Sequence, residues 1–481
     1  MTAFGPKTIY RPLWASDPLP GMAISLLHRW RSTVARRPEA LALIDTAEER
    51  IWNRRELAGA GTAWATAHAS GRRLVGRRVL LSEPNGPSWF AAFLGLLEAG
   101  AIPVSLDSGE PPLARAAAAA SAQADWQWRE GRLQPIDPKC GEAGRSSAVR
   151  DVCLVKLTSG SSGRPRAFAF TSSQMAADGA QICATMEIVE SDLNLGVIPF
   201  GHSYGLGNLV VPLLLQGTGI VCASSPLPHA LAEVCQRWKP TVFPAVPPLI
   251  RALAQSEVPA TALRSLRSVI SAGAALDPAV AALFSERFGL RVHGFYGSSE
   301  TGGITYDSDG AATLTGRSVG HPLVGVKISV GRGGRFTVRS AAVKSPGSHS
   351  PGDRGRFSAE GEWVLLGRAD RTVKLGGRRL DLSEVEAALR GLPGVKDAHV
   401  ALVGGREPFL AAAVHTVLAP AAIRRELRGS LATWKIPARI VPLSDFPVTA
   451  RGKVDTRRLS VILDSAGDPS KEPLKKSPLT Q

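Results

Sequence analysis

Short apolar runs alternate with stretches whose apolar residues recur at helical spacing. "AIPVSL", "TVFPAV", "SVISAG" and "RVHGFYG" predict buried strands. Between them, "SWFAAFLGLLEAG", "HALAEVCQRWK", "PPLIRALAQ" and "DPAVAALFSERFG" predict helices. The last carries its own punctuation, with Asp277 as N-cap, Pro278 in the first turn and Gly289 as terminator. This alternation through most of the first 360 residues predicts layered α/β structure with largely parallel sheets. The segment 107–150, rich in Ala, Gly, Pro and Ser, lacks the rhythm and is read as an irregular surface excursion.

After about residue 320 the texture changes. "GVKISVG", "RFTVRS" and "EWVLLG" predict short strands joined by glycines, a small β subdomain. From about 368, "SEVEAALRGLPG" predicts a helix capped by Ser383, "VKDAHVALVG" and "FLAAAVHTV" strands, and "PAAIRRELRGSL" a second helix. That order suits a small α+β domain. The final stretch, low in apolar residues, is expected to be disordered. The reading is therefore a large N-terminal α/β domain over 1–367, a small α+β domain over 368–464 and a tail over 465–481.

Composition narrows the function classes. Apolar residues make up 44% and charged residues 20% of the 481, which are globular values. The longest apolar stretch, "LVVPLLLQGTGIVCA", is interrupted and falls short of the roughly 20 residues that span a bilayer. The first residues lack the charged-then-apolar order of a signal peptide. A soluble, cytoplasmic protein is expected. Five cysteines, widely spaced and without a Cys-x-x-Cys pair, predict reduced thiols rather than disulfides or a zinc site. The formal charge of +16 invites nucleic acid, but no helix carries a basic stripe and no basic run is interleaved with aromatics. Nucleic acid is not read as a partner; a positive surface would equally attract an anionic nucleotide, coenzyme or carrier protein.

The chemistry gathers in a few loops. "LTSGSSGRPR" follows the strand-like "VCLVKL" and crowds hydroxyls and glycines into Thr158, Ser159, Gly160, Ser161, Ser162 and Gly163, with Arg166 just beyond. Successive backbone N–H groups in such a loop form an anion nest, and a guanidinium adds charge for phosphate oxygens. No Gly-Lys-Ser/Thr follows, so this is not a Walker loop. Alone, it reads equally as a solvated turn. In "GFYGSSETGG", Glu300 follows Tyr296, Gly297, Ser298 and Ser299, a ring, a glycine, two hydroxyls and a hard carboxylate that suit a nucleotide with Mg²⁺. "GDRGR", "GRADRTVKLGGRRLDL" and "FPVTARGKVDTRRL" complete the ordered set.

Together these motifs resemble the adenylate-forming superfamily of acyl-CoA synthetases, nonribosomal peptide adenylation domains and luciferases, over roughly residues 25–462. The resemblance implies ATP, Mg²⁺ and coenzyme A (or a pantetheinyl carrier protein) as cofactors, and a carboxylic acid as substrate. It assigns the 158–163 loop and Arg166 to the ATP phosphates, with Arg166 in place of the family's usual lysine and Ala167 in place of its glycine. Gly273, Ala274 and Ala275 would line the adenine, with Tyr296 stacking on it. Gly297, Ser298 and Ser299 complete that loop; Ser299 stands where threonine is usual and offers its hydroxyl to the α-phosphate. Glu300 would hold Mg²⁺, and Asp353 and Arg368 would take the ribose. Asp370 would be the hinge of a mobile small domain, Gly377 would line the thiol tunnel, and Lys453 would be the catalytic lysine.

"PFGHSYGLGNLVVPLLLQG" matches the segment bordering the acyl pocket, with His202 at its gate. Amino-acid-activating relatives carry an aspartate there to pair the α-ammonium, and "SYGLGN" has no acid. A fatty, hydroxy-fatty or aryl acid is therefore expected. "YGSSETGGI" is similar to synthetases that serve fatty-acid or aryl-polyene assembly lines, which adds an acyl carrier protein as acceptor. Residues 367–464 hold 17 Lys and Arg against 10 Asp and Glu, a net +7 that favours an acidic carrier and coenzyme A alike. The competing readings are a nucleotide-binding homologue without turnover and a luciferase-like oxygenation.

Overall fold

The computed structural model describes residues 24–70, 74–136, 151–159, 165–343, 347–368, 371–375, 378–404, 408–449 and 454–465. The chain divides into two compact units. The first runs to Gly331 and takes back Phe336–Pro351 and Arg356–Val364; the second gathers Arg332–Arg335, Gly352–Gly355 and the chain from Leu365 onward. The architecture is mixed α/β, a large N-terminal part followed by a small C-terminal one.

Two sheets build the first unit. In the nine-stranded sheet, Val292–Ser298, Ser268–Ser271, Val242–Ala245, Leu193–Gly196, Gly219–Cys222 and Leu41–Asp45 run parallel, with antiparallel strands at both edges. The central strands Gly219–Cys222, Val242–Ala245 and Ser268–Ser271 are buried at every position, which is why they read as unbroken apolar runs. In the six-stranded sheet, Trp126–Arg129, Arg78–Leu81, Ile102–Ser105 and Val152–Ser159 are parallel, again with antiparallel edges. One apolar core joins Leu43 and Ile220 of the first sheet to Val79, Leu81 and Leu154 of the second, through Trp30, Trp89, Phe90 and Phe93 on the helices Leu26–Arg36 and Pro87–Glu98. A second core lies under the helices Pro228–Trp238, Pro247–Gln255 and Pro278–Phe288.

The helix Pro278–Phe288 is built as its sequence predicts. Asp277 accepts the N–H of Ala279 at 2.9 Å, and Gly289 closes it with φ +66°. Two expectations are corrected. The stretch from 107 to 136 is not irregular: it holds the helix Pro112–Ala122 and the hairpin strands Trp126–Arg129 and Arg132–Pro135 that extend the six-stranded sheet. Its alanine run has helix propensity but no apolar–polar contrast, so the period was invisible. In the second unit, the helix Leu382–Arg390 is capped by Asp381, whose carboxylate accepts the N–H of Ser383 at 2.9 Å. Ser383 is inside the helix.

The second unit packs that helix and Pro420–Leu427 on a sheet of Val395–Val403, Phe409–Thr416 and Arg439–Leu443. Of the tail expected over 465–481, Ser465 instead ends the helix Thr456–Ser465, and 466–481 lie outside the described residues. Among the described residues no helix is long and apolar enough to cross a membrane.

Candidate functional site

The Ser/Gly segment is flanked by two paired antiparallel strands. Thr158 pairs with Arg166 and Ser159 with Pro165 across antiparallel strands Val152–Ser159 and Pro165–Thr171. Gly160, Ser161, Ser162 and Gly163 lie outside the described residues. The next helix starts only at Ser172, with Thr171 accepting the N–H of Gln174. The segment therefore lies between two antiparallel strands, whereas a Walker loop runs from a strand into a helix. Arg166 is exposed and lies 5.5 Å over the Phe168 ring, so its guanidinium is steadied yet still solvated.

Three more candidate segments leave the nine-stranded sheet at one end. Gly273, Ala274 and Ala275 follow Ser268–Ser271 and are exposed, with Gly273 at φ +87°. The neighbouring parallel strand Val292–Ser298 delivers Tyr296, Gly297, Ser298, Ser299 and Glu300. On the other side of Ser268–Ser271, two places along the sheet from it, Leu193–Gly196 leads to His202. The carboxyl ends of parallel strands are where open α/β sheets bind ligands.

Local bonds hold these segments. Tyr296, Ser298, Ser299 and Glu300 are half-buried, and Gly297 is exposed. A Cβ on Gly297 would stand 2.6 Å from the carbonyl oxygen of Gly302, so the turn admits only glycine there. The hydroxyls of Ser298 and Thr301 lie 3.0 Å apart, and Ser298 Oγ accepts the Thr301 N–H. Ser203 Oγ donates to Ser299 Oγ at 2.9 Å, which ties the Glu300 turn to the His202 segment. His202 is half-buried and caps the short helix Ser203–Gly205, its Nδ1 accepting the Tyr204 N–H at 3.3 Å. Asn85 clamps the approach to His202: its Oδ1 accepts from Phe200 N at 2.7 Å and its Nδ2 donates to Ile198 O at 2.8 Å. Burial pushes the Tyr204 phenol well above its usual range; its hydroxyl donates to Ile270 O, a structural task.

In the second unit, Asp353 and Arg368 form an ion pair at 3.3 Å, and Arg354 pairs with Asp381. Asp370, Gly377 and Lys453 lie outside the described residues. Sequence reading missed Lys156, Asp178, Asn85 and Ser203. A lysine inside "VCLVKL" was a visible signal for the first; the others carry no pattern of their own.

No group of three or more His, Cys, Asp or Glu is gathered among the described residues. Glu300 is a hard carboxylate beside hydroxyls, which fits Mg²⁺ arriving with a triphosphate, since the ion takes only one or two protein carboxylates and completes its shell with phosphate oxygens and water.

Comparison with known proteins agrees with this geometry. Residues 112–335 match the family model described as AMP-binding enzyme. Triostin synthetase I of Streptomyces triostinicus is 28% identical, over 81% of this chain and 85% of its own. The benzoate–CoA ligase of Thauera aromatica is 28% identical, over 64% of this chain and 66% of its own. The crystal structure of ATP-bound MatB from Rhodopseudomonas palustris superposes with a TM-score of 0.77 at 22% identity, covering 92% of this chain and 99% of that one. The matched stretch contains both the Thr158 loop and the Glu300 turn, and the fold is shared along nearly the whole chain: residues 112–335 form an AMP-binding enzyme domain, in line with the resemblance to the adenylate-forming superfamily.

Proposed function

We propose that the protein is an ATP-dependent acid–thiol ligase that activates an uncharged-side-chain carboxylic acid (fatty, hydroxy-fatty or aryl) and passes the acyl group to coenzyme A. The observation that carries this is the convergence of three segments, ending in Gly273–Ala275, Tyr296–Glu300 and His202, at the carboxyl ends of parallel strands in one sheet. The AMP-binding match supports adenylate formation, and the likeness to a benzoate–CoA ligase supports an aryl acid and coenzyme A.

In the first half-reaction a carboxylate oxygen bonds to the α-phosphorus as the bridge to the β-phosphate breaks and pyrophosphate leaves. The Thr158–Gly163 loop and Arg166 hold the leaving phosphates, and Ser299 Oγ donates to the α-phosphate. Tyr296 and Gly273–Ala275 take the adenine, and Asp353 and Arg368 the ribose. Glu300 would hold Mg²⁺, which when bound would neutralise charge on the departing pyrophosphate. Lys453 sets an ammonium against the charge that builds where two anions meet. In the second half-reaction a thiolate attacks the acyl carbon and AMP departs, with Gly377 leaving room for the pantetheine arm.

The absence of any acid in Ser203–Asn208, just after His202, supports the substrate class. An α-ammonium would stay unpaired at considerable cost. Pyrophosphate release over a panel of fatty, aryl and amino acids, with and without coenzyme A, tests the reading. Release with a neutral acid, and thioester formation with coenzyme A, are expected. Release with amino acids alone would overturn the substrate class; release without thioester formation would make a carrier protein the acceptor.

A further inference from the structure

Lys156 sits two residues before Thr158, inside the hairpin strand Val152–Ser159. Its side chain is 2% exposed. The ammonium lies 3.7 Å from Asp178 Oδ2 and 4.6 Å from the centre of the Phe170 ring. Asp178, on the helix Ser172–Met186, is 5% exposed in its side chain. Taking two such charges out of water costs several kcal/mol per ion, and an apolar pair of similar volume would fill the space at no such cost. Stability alone does not account for the choice of residues.

The carboxylate has a second engagement. Asp178 Oδ1 accepts the N–H of Gly303 at 3.0 Å. Gly302 has φ +71°, and a Cβ there would stand 2.1 Å from the same oxygen. The turn can rest on the carboxylate only because residue 302 is glycine. Gly302 follows Glu300 by two positions, so the buried carboxylate seats the turn that carries it. Asp178 Oδ2 also stands 3.4 Å from the position a Cβ would take on Gly207, in the segment that follows His202. All of these groups belong to the first unit.

We propose that Lys156 and Asp178 are positioning residues: their buried ion pair fixes the strand that delivers Thr158 against the turn that carries Glu300. This rests on the ligase reading, in which those two segments meet the phosphates and Mg²⁺ of one ATP. Neither side chain reaches solvent, so neither touches substrate. Their action is on register. The strand cannot slide or tilt without parting the ammonium from Asp178, and Asp178 cannot follow without pulling away from Gly303. Displacements of about 1 Å at a reacting centre cost on the order of 100-fold in rate.

The test uses double variants, so that no orphan charge stays buried. Lys156→Met with Asp178→Leu removes the ion pair and the acceptor for Gly303. Lys156→Met with Asp178→Asn removes the ion pair but keeps an amide oxygen for Gly303. Three quantities are read on the full-length protein: the thermal midpoint, the Kd for Mg·ATP by calorimetry, and kcat and KM in acid-dependent pyrophosphate exchange. Both variants should melt close to the wild type. The Met/Leu variant should bind Mg·ATP about tenfold more weakly and lose about 100-fold in kcat with KM for the acid unchanged, and the Met/Asn variant should fall between. A folded Met/Leu variant with wild-type Kd and kcat overturns the proposal. Should Met/Leu fail to fold, wild-type values in Met/Asn overturn it and an intermediate loss supports it. A wild-type protein that neither binds Mg·ATP nor exchanges pyrophosphate with any acid overturns the ligase reading and this proposal together, whereas wild-type activity matched by the variants removes only the role of the pair.

Discussion

Two ion pairs, one in each unit, treat charge in opposite ways. In the first, Lys156 and Asp178 keep 2% and 5% of their side chains exposed and spend their bonding capacity on each other and on backbone. In the second, Arg368 leaves 51% of its side chain in water while it leans on Asp353 at 3.3 Å. The difference separates two tasks. A buried pair is hard to disturb and so can hold loops in register. A half-solvated pair contributes little to stability, and its members can exchange water for a ligand at small cost. On the proposed function, the first unit fixes where the phosphates go and the second supplies groups that engage as the reaction proceeds.

The comparison breaks most sharply at Lys453. Lys453→Ala should lower kcat for pyrophosphate release by about 100-fold or more while leaving the KM for ATP within about threefold. A rise in KM with kcat intact would make the lysine a binding group instead. Asp353→Asn comes next: the KM for ATP should rise about tenfold, yet stability should change by only about 1 kcal/mol, since the partner Arg368 stays half in water. A large fall in thermal midpoint would show that this pair is structural rather than a ligand-binding one.

Asp192 sharpens the other side. Burial raises its carboxyl pKa, but hydrogen bonds from Arg267, from the Val189 N–H and from Thr241 outweigh this and leave it below the usual range. A depressed folded pKa stabilises the protein above the unfolded value near 4, and that stability is lost as pH falls through the folded value. Asp192→Asn should therefore cost about 2 kcal/mol at neutral pH, and the gap in thermal midpoint should close below about pH 4. A constant gap would place the effect in packing. The smallest expected signal is at the thiols. Burial pushes Cys153 up to about 11 and Cys183 and Cys235 up to about 12, with Cys222 higher still. A thiol reagent at pH 8 should leave these four unlabelled in the native protein.

Much of the frame was legible in the chain. The helices Pro247–Gln255 and Pro278–Phe288 begin at proline, and the second ends at a left-handed glycine; such marks act locally and survive any tertiary context. The helix Pro112–Ala122 was missed because alanine has propensity without pattern. The cap at Asp381 was misplaced onto Ser383 because two good capping residues lie two positions apart and only backbone geometry selects between them. Of the candidate site, the loops around Thr158, Gly273 and Tyr296 announced themselves through composition. What holds them did not. Asp178 meets Gly303 across 125 positions and Ser203 meets Ser299 across 96, and neither contact leaves a trace in local sequence.

The central claim is that the acid is activated by attack on the α-phosphorus. It is tested most directly by supplying the best acid of the panel with heavy oxygen in its carboxylate, allowing turnover with a thiol acceptor, and weighing the products. Adenylate formation predicts one heavy oxygen in AMP and none in pyrophosphate. Heavy oxygen in inorganic phosphate, with ADP as the nucleotide product, would contradict the account.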